Sequence, residues 1–186
     1  MDTDGFWDLI ETARSSAGEG RPFHVVLIDL LSARAEQEIL DYQEKFDEVH
    51  GGLYRWDVWA AAYLIGGGCS DDSFIDFRAG LIAQGREWYQ KAADSPDSLA
   101  GHPAVAAAVR RPWDSPLFYE RVNYAASYAF ERMSGDDHAF WDALEARGER
   151  DHPPADMGED FDFDDDQEMR RRLPRLSALC LSDTAT

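Results

Sequence analysis

Apolar side chains recur along the first 150 residues at spacings of three and four, and no run alternates with period two. That periodicity predicts helices throughout. Phe6, Ile10, Ala13 and Ala17 form one stripe over residues 4–17, with Asp2 or Thr3 as cap. The run Phe23–Leu31 has the β-branched content of a strand, but it follows Pro22, and a short helix is the reading adopted. Ser32 is expected to cap a longer helix to about Val49, ended by Gly51-Gly52. Trp56–Ile65 is apolar around its whole circumference, with Asp57 its only charge, which places it in the middle of the core. Gly66-Gly67-Gly68 stops it, and Ser70 starts the next helix with Asp71 and Asp72 in its first turn. Phe74, Phe77, Leu81 and later Trp88 share that helix's inner side. Ser98 reads as the cap of a short piece, residues 103–110 as another, and Ser115-Pro116 as the start of an amphipathic run to about Met133. Asp136 or Asp137 opens a last helix through Arg147. The fold class predicted is all-α, a single-domain, bundle-like helical array with an acidic, partly irregular C-terminal tail. Asp151-His152-Pro153-Pro154 divides a body, residues 1–150, from that tail, residues 151–186.

Composition changes this picture in one respect. The 186 residues carry 37 acids and 18 bases, a net charge of -19. The body contributes -13 and the tail -6, so the acidity is not confined to an appended tract. Such a charge argues against nucleic-acid backbones and anionic membranes as partners and is compatible with a basic protein, a divalent cation or simply high solubility. There is no apolar run of 18 residues for a membrane span. The first residues are acidic, and Cys69 and Cys180 are too few and too distant for a disulfide framework. The localisation expected is a reducing cytoplasm.

Candidate chemistry gathers around the glycine turn. Arg78 projects inside the apolar face of its helix, so it should be desolvated and need a carboxylate; Asp57, alone on the neighbouring helix, is the expected partner. Gly66–Asp72 resembles an anion-binding turn, but Asp71 and Asp72 occupy the positive end and no P-loop lysine follows. Cys69 beside a helix start could be a nucleophile, although adjacent carboxylates raise a thiol pKa. Asp71, Asp72 and Asp76 could ligate a hard cation; acid clusters at helix starts are more often caps, and Ser70 and Ser73 are then caps too. The five histidines show no ligand spacing, and neither Gly-x-Ser-x-Gly nor Gly-x-Gly-x-x-Gly occurs. No metal site or cofactor is assigned. Trp113, between Pro112 and Asp114-Ser115-Pro116, is the tryptophan expected to be exposed to a partner.

In the tail, residues 156–168 hold eight acids and no base, and the EF-hand pattern fails at positions six and twelve. Phe161 and Phe163 alternate with acids, which suits an extended arm pressing two rings on the domain. Arg170-Arg171-Arg172 and Arg175 follow, so the segment either orders by local charge pairing and docks residues 173–179, or stays solvated.

Tyr54–Ile65, Gly67–Arg78 and Leu81–Arg86, with Phe6–Ile10 and Pro96–Ala100, resemble the signature of a bacterial family known as domain of unknown function 4240. The likeness covers roughly residues 1–130. Val58 and Ala79-Gly80 depart from a commoner Leu and a bulkier pair, which would loosen packing there. The resemblance implies the domain and transfers no activity. The function expected is an acidic protein-binding or regulatory module; the alternative is an enzyme whose cleft gathers Asp57, Cys69, Asp71, Asp72, Asp76 and Arg78.

Overall fold

A computed structural model describes residues 1–108, 116–148 and 156–181, and among them every named element is helical. Helix α1, Thr3–Ser16, starts where Asp2 accepts the Gly5 amide at 2.8 Å and buries Phe6, Leu9, Ile10 and Ala13. Helix α2, Phe23–Ser32, follows Pro22 and settles the ambiguous run as helix. Its apolar face is too wide for one neighbour, burying Phe23, Val26, Leu27, Ile28 and Leu31.

Ser32 does not cap the next helix. It ends α2 and donates its hydroxyl back to the Ile28 carbonyl at 2.8 Å. Helix α3, Glu36–Gly51, starts four residues later, where the Glu38 carboxylate accepts the Ala35 amide at 3.2 Å. Helix α4, Trp56–Gly66, is the apolar helix, with Val58, Ala60, Ala61, Ala62 and Leu64 buried; Gly67, at φ +66°, ends it in a left-handed conformation. Helix α5, Asp71–Ala83, is capped by Ser70, which accepts the Ser73 amide at 3.2 Å.

Helix α6, Arg86–Asp94, leads into a 3-10 turn, Pro96–Gly101, and then α7, Pro103–Ala108. Ser98 lies within that turn, donating to the Lys91 carbonyl at 3.0 Å, so it is not the expected cap. The amphipathic run also starts later than expected. Leu117 takes φ +71° and Tyr119 donates its amide to the Asp76 carbonyl at 3.0 Å, which holds the chain in a turn against α5. After a 3-10 turn, Glu120–Val122, helix α8 runs from Ala125 to Ser134, and α9 from Ala139 to Arg147. Helices α10, Asp166–Arg172, and α11, Pro174–Cys180, complete the array.

Two apolar clusters result. The first joins α1, α2, α3, α8 and α9 around Phe6, Tyr42, Leu27 and Phe130. The second joins α4, the 96–101 turn, α10 and α11 around Val58, Phe77, Leu99 and Leu176. Helix α5 serves both, giving Ala79 and Ile82 to the first and Phe74, Phe77 and Leu81 to the second. The Phe-Asp arm presses both rings on the second cluster, and the arginines beyond it pair locally, Arg171 and Arg172 with Glu168.

Candidate functional site

The residues singled out around the glycine turn separate into three places. At the start of α4, Asp57 receives two bonds from Arg55, at 3.0 and 2.6 Å, while Arg55 also donates to the Ala93 carbonyl at 2.8 Å. The expected Asp57–Arg78 pair does not form. Arg78 is buried as expected, but it faces the end of α3, donating to the His50 and Phe74 carbonyls at 3.2 and 3.4 Å. Its guanidinium lies 4.9 Å from the ring centres of both Tyr54 and Phe74. Burial brings its pKa down to about 10, and no carboxylate among the described residues pairs with it.

At the third place, Trp59 donates its indole N–H to the Cys69 carbonyl at 3.0 Å, and burial pushes the Cys69 thiol up to about 11. A thiol held protonated is a poor nucleophile. Ser70 is a cap, and Asp71 and Asp72 stand exposed at the helix start. Asp76 is half-buried and accepts from Asn123 at 3.0 Å; burial, Glu120 and Asp72 all raise its pKa. Among the described residues no three His, Cys, Asp or Glu side chains are grouped to hold a metal ion, so Asp71, Asp72 and Asp76 do not make a ligand set. Trp113 lies outside the described residues. Of the six residues of the enzyme alternative, Asp57 lines a cavity of about 360 Å³ with Met157, Glu159 and Arg172, in which none of the other five takes part.

His50 belongs to the Arg78 cluster. Its Nε2 donates to the Ile75 carbonyl at 3.0 Å and its ring stacks on Phe46 at 5.4 Å. Burial, then Arg78, lowers its pKa to about 4. The fold therefore favours neutral His50. Its contribution is complete above pH 6.5, falls as the unfolded chain protonates, and levels off near pH 4. That window corresponds to about 3 kcal/mol in full, of which about 2 lies between pH 7 and 4.5. In His50→Gln, which keeps a donor for Ile75, urea unfolding at pH 7 and 4.5 should show a stability loss on acidification smaller by about 2 kcal/mol. An undiminished loss would assign the acid sensitivity elsewhere.

A larger groove, of about 680 Å³, opens between α2 and α8. Pro22 starts α2 so that His24, Val25 and Ile28 form one wall; Tyr124, Tyr128 and Glu131 recur at i, i+4 and i+7 along the other. At the base, Arg121 stands 3.4 Å from His24 Nε2, and His24 Nδ1 lies 2.8 Å from the Tyr119 hydroxyl. Arginine can only donate, so Nε2 accepts and Nδ1 carries the proton. Burial and then Arg121 lower the His24 pKa, which keeps the ring neutral. On the α8 wall Arg132 is neutralised by Asp29 at 2.7 Å, a carboxylate shared with Arg21 at 2.8 Å. The Tyr124 and Tyr128 rings lie 6.2 Å apart and are 44% and 46% exposed. Glu120 and Glu131 line the same groove, and among the described residues no cation pairs with either. Sequence reasoning missed this groove; its signal was two tyrosines on the polar side of a run read only for its buried face.

The sequence profile of the family described as Protein of unknown function (DUF4240) matches residues 1–132. The chain belongs to this family. No curated protein and no solved structure matches it. The DUF4240 match spans α1 through α7 and most of α8, so both walls of the tyrosine groove lie within it. Helices α9, α10 and α11 lie beyond it.

Proposed function

We propose that this DUF4240 protein is a protein-binding module that takes a basic partner at the groove between α2 and α8. The observation that carries the reading is the tyrosine pair, nearly half exposed, beside the carboxylates of Glu120 and Glu131, with which no cation pairs among the described residues. A partner's Arg or Lys side chain gains a ring face there, worth about 0.5–2 kcal/mol, and a nearby counter-charge. Tyrosine is also enriched among residues that dominate binding energy. The net charge of -19 steers a basic protein toward the surface from a distance. The catalytic alternative has no comparable support, because its six residues are dispersed over three places.

An octa-arginine peptide is the probe. Fluorescence titration should show binding that weakens as salt rises. The Tyr124→Ala/Tyr128→Ala double variant should weaken it about fivefold or more, and Glu131→Gln about threefold. Asp2→Asn/Asp8→Asn, in a separate acidic cavity of about 470 Å³ that also includes Asp41, serves as the charge control and should change it less than about twofold. Equal losses in all three would reduce the binding to net charge and overturn the reading, as would unchanged affinity in the tyrosine variant.

A further inference from the structure

Residues 156–181 meet a surface whose residues all fall inside the DUF4240 match, although the segment itself lies outside it. On α4, Trp56, Trp59 and Tyr63 recur at i, i+3 and i+7 and form an aromatic strip. Trp56 stacks on Trp59 with centres 5.5 Å apart, and Trp59 stacks on Phe74 at 4.8 Å. Phe163 sits on this strip, 6.1, 6.4 and 5.6 Å from the three rings. Further along, Met169, Leu173 and Leu176, at i, i+4 and i+7, are 0%, 2% and 0% exposed. They lie on two short helices and the break between them, Met169 on α10, Leu173 at the non-helical junction and Leu176 on α11, so the segment enters the body through three separate apolar anchors.

Backbone groups are exchanged as well. Trp56 donates its amide to the Met157 carbonyl at 3.0 Å, so the segment satisfies a donor at the start of α4. Conversely, Asp97 accepts the amides of Arg175 and Leu176 at 3.0 and 2.9 Å and caps α11 from the body. Tyr63 donates its hydroxyl to Asp164. Meanwhile Glu168 pairs with Arg171 and Arg172 at 2.5 Å, and Glu159 with Arg172 at 2.9 Å. Arg172 also covers Phe161 at 4.2 Å. The segment thus carries counter-ions of its own and is gripped through rings, apolar anchors and main chain, which are the means by which a groove holds a peptide ligand.

We propose that the α4 face of the DUF4240 domain is a peptide-docking groove, and that residues 156–181 are its ligand, held in cis and exchangeable for the same segment of a second copy. Because it belongs to the same chain, the cis segment competes intramolecularly with any free copy, so the groove opens to the second copy when cis docking weakens.

The probe is a fluorescein-labelled synthetic peptide of residues 156–181, titrated with full-length protein. Wild type should bind it weakly. Full-length Phe163→Ala/Met169→Ala, whose own segment is loosened, should bind the unaltered peptide at least about tenfold more tightly. Adding Asp97→Ala, which removes the cap on α11 without opening the core, should erase most of that gain. Unchanged affinity in the loosened variant, with its helical circular dichroism intact, would overturn the proposal. So would loss of all helical signal, because the segment would then be an integral part of the core. Hydrogen exchange on the wild type gives an independent decision: α10 and α11 amides should open at lower free energy than those of α5, and equal protection would also overturn it.

Discussion

Gly80→Ala should destabilise the protein by roughly 3 kcal/mol, lowering Tm by about 6–12 °C, although alanine is the better helix former by about 1 kcal/mol. Gly80 is buried in α5, and a Cβ placed there would stand 1.7 Å from the Leu117 carbonyl oxygen and 2.6 Å from its carbon. Those are main-chain atoms, so no rotamer change relieves the overlap. Leu117 is already at φ +71°, and the chain after it is fixed to α5 by the bond from Tyr119 to Asp76. Either the turn lifts or α5 shifts, and α5 contributes to both apolar clusters. Gly51→Ala, with nothing within 4 Å of the added carbon, is the control and should leave stability within about 0.5 kcal/mol. Thermal unfolding followed at 222 nm compares the two. A Gly80→Ala variant as stable as wild type would show that the turn around Leu117 yields freely.

The same contact explains why Ala79-Gly80 does not loosen packing as expected from the sequence. Both residues are buried, and the missing side chain at Gly80 is filled by the backbone of the turn. A residue's size is legible in one dimension; what approaches it from 37 positions later in the chain is not. Helices with a strong local signal were legible: α1 with its Asp2 cap, α4 with its unbroken apolar girth, and α5 with Ser70. Helix starts governed by tertiary contacts were not. Pro116 offered a good local start, but Leu117 is held by α5, so α8 begins at Ala125.

The candidate site divides in the same way. Burial of Arg78 could be read from its place among Phe74, Ile75, Leu81 and Ile82, since helical projection sets that. Its partner could not, because the rule that a buried charge needs an opposite charge has a second solution. Two carbonyls and two ring faces supply the negative potential instead. Arg55, only two residues before Asp57, supplies that carboxylate's partner locally. The tyrosine groove was illegible for a different reason: it joins α2 to α8 across about 100 residues, and each wall alone is an ordinary helix face.

Arg78→Ala should cost about 3 kcal/mol, and Arg78→Met about 1 kcal/mol or less, a difference that follows from what surrounds the guanidinium. Removing one member of a buried ion pair costs roughly 3–5 kcal/mol because the other charge is left without a partner. Here no carboxylate is orphaned by either substitution. What alanine loses is the planar group between the Tyr54 and Phe74 rings and the volume of the side chain, at a site only 7% exposed. Methionine restores most of that volume, and its sulfur packs well against rings. It gives up the donors to the His50 and Phe74 carbonyls but also removes the desolvation that brings the Arg78 pKa down to about 10. Arg78→Lys keeps a charge without the planar group and should fall between them, because a compact ammonium stays costly to bury and does not stack. Urea midpoints for the three variants, with unchanged m-values, would give the order Met, Lys, Ala from most to least stable. If methionine proves as damaging as alanine, the guanidinium's hydrogen bonds to the end of α3, rather than its packing between two rings, hold that junction together.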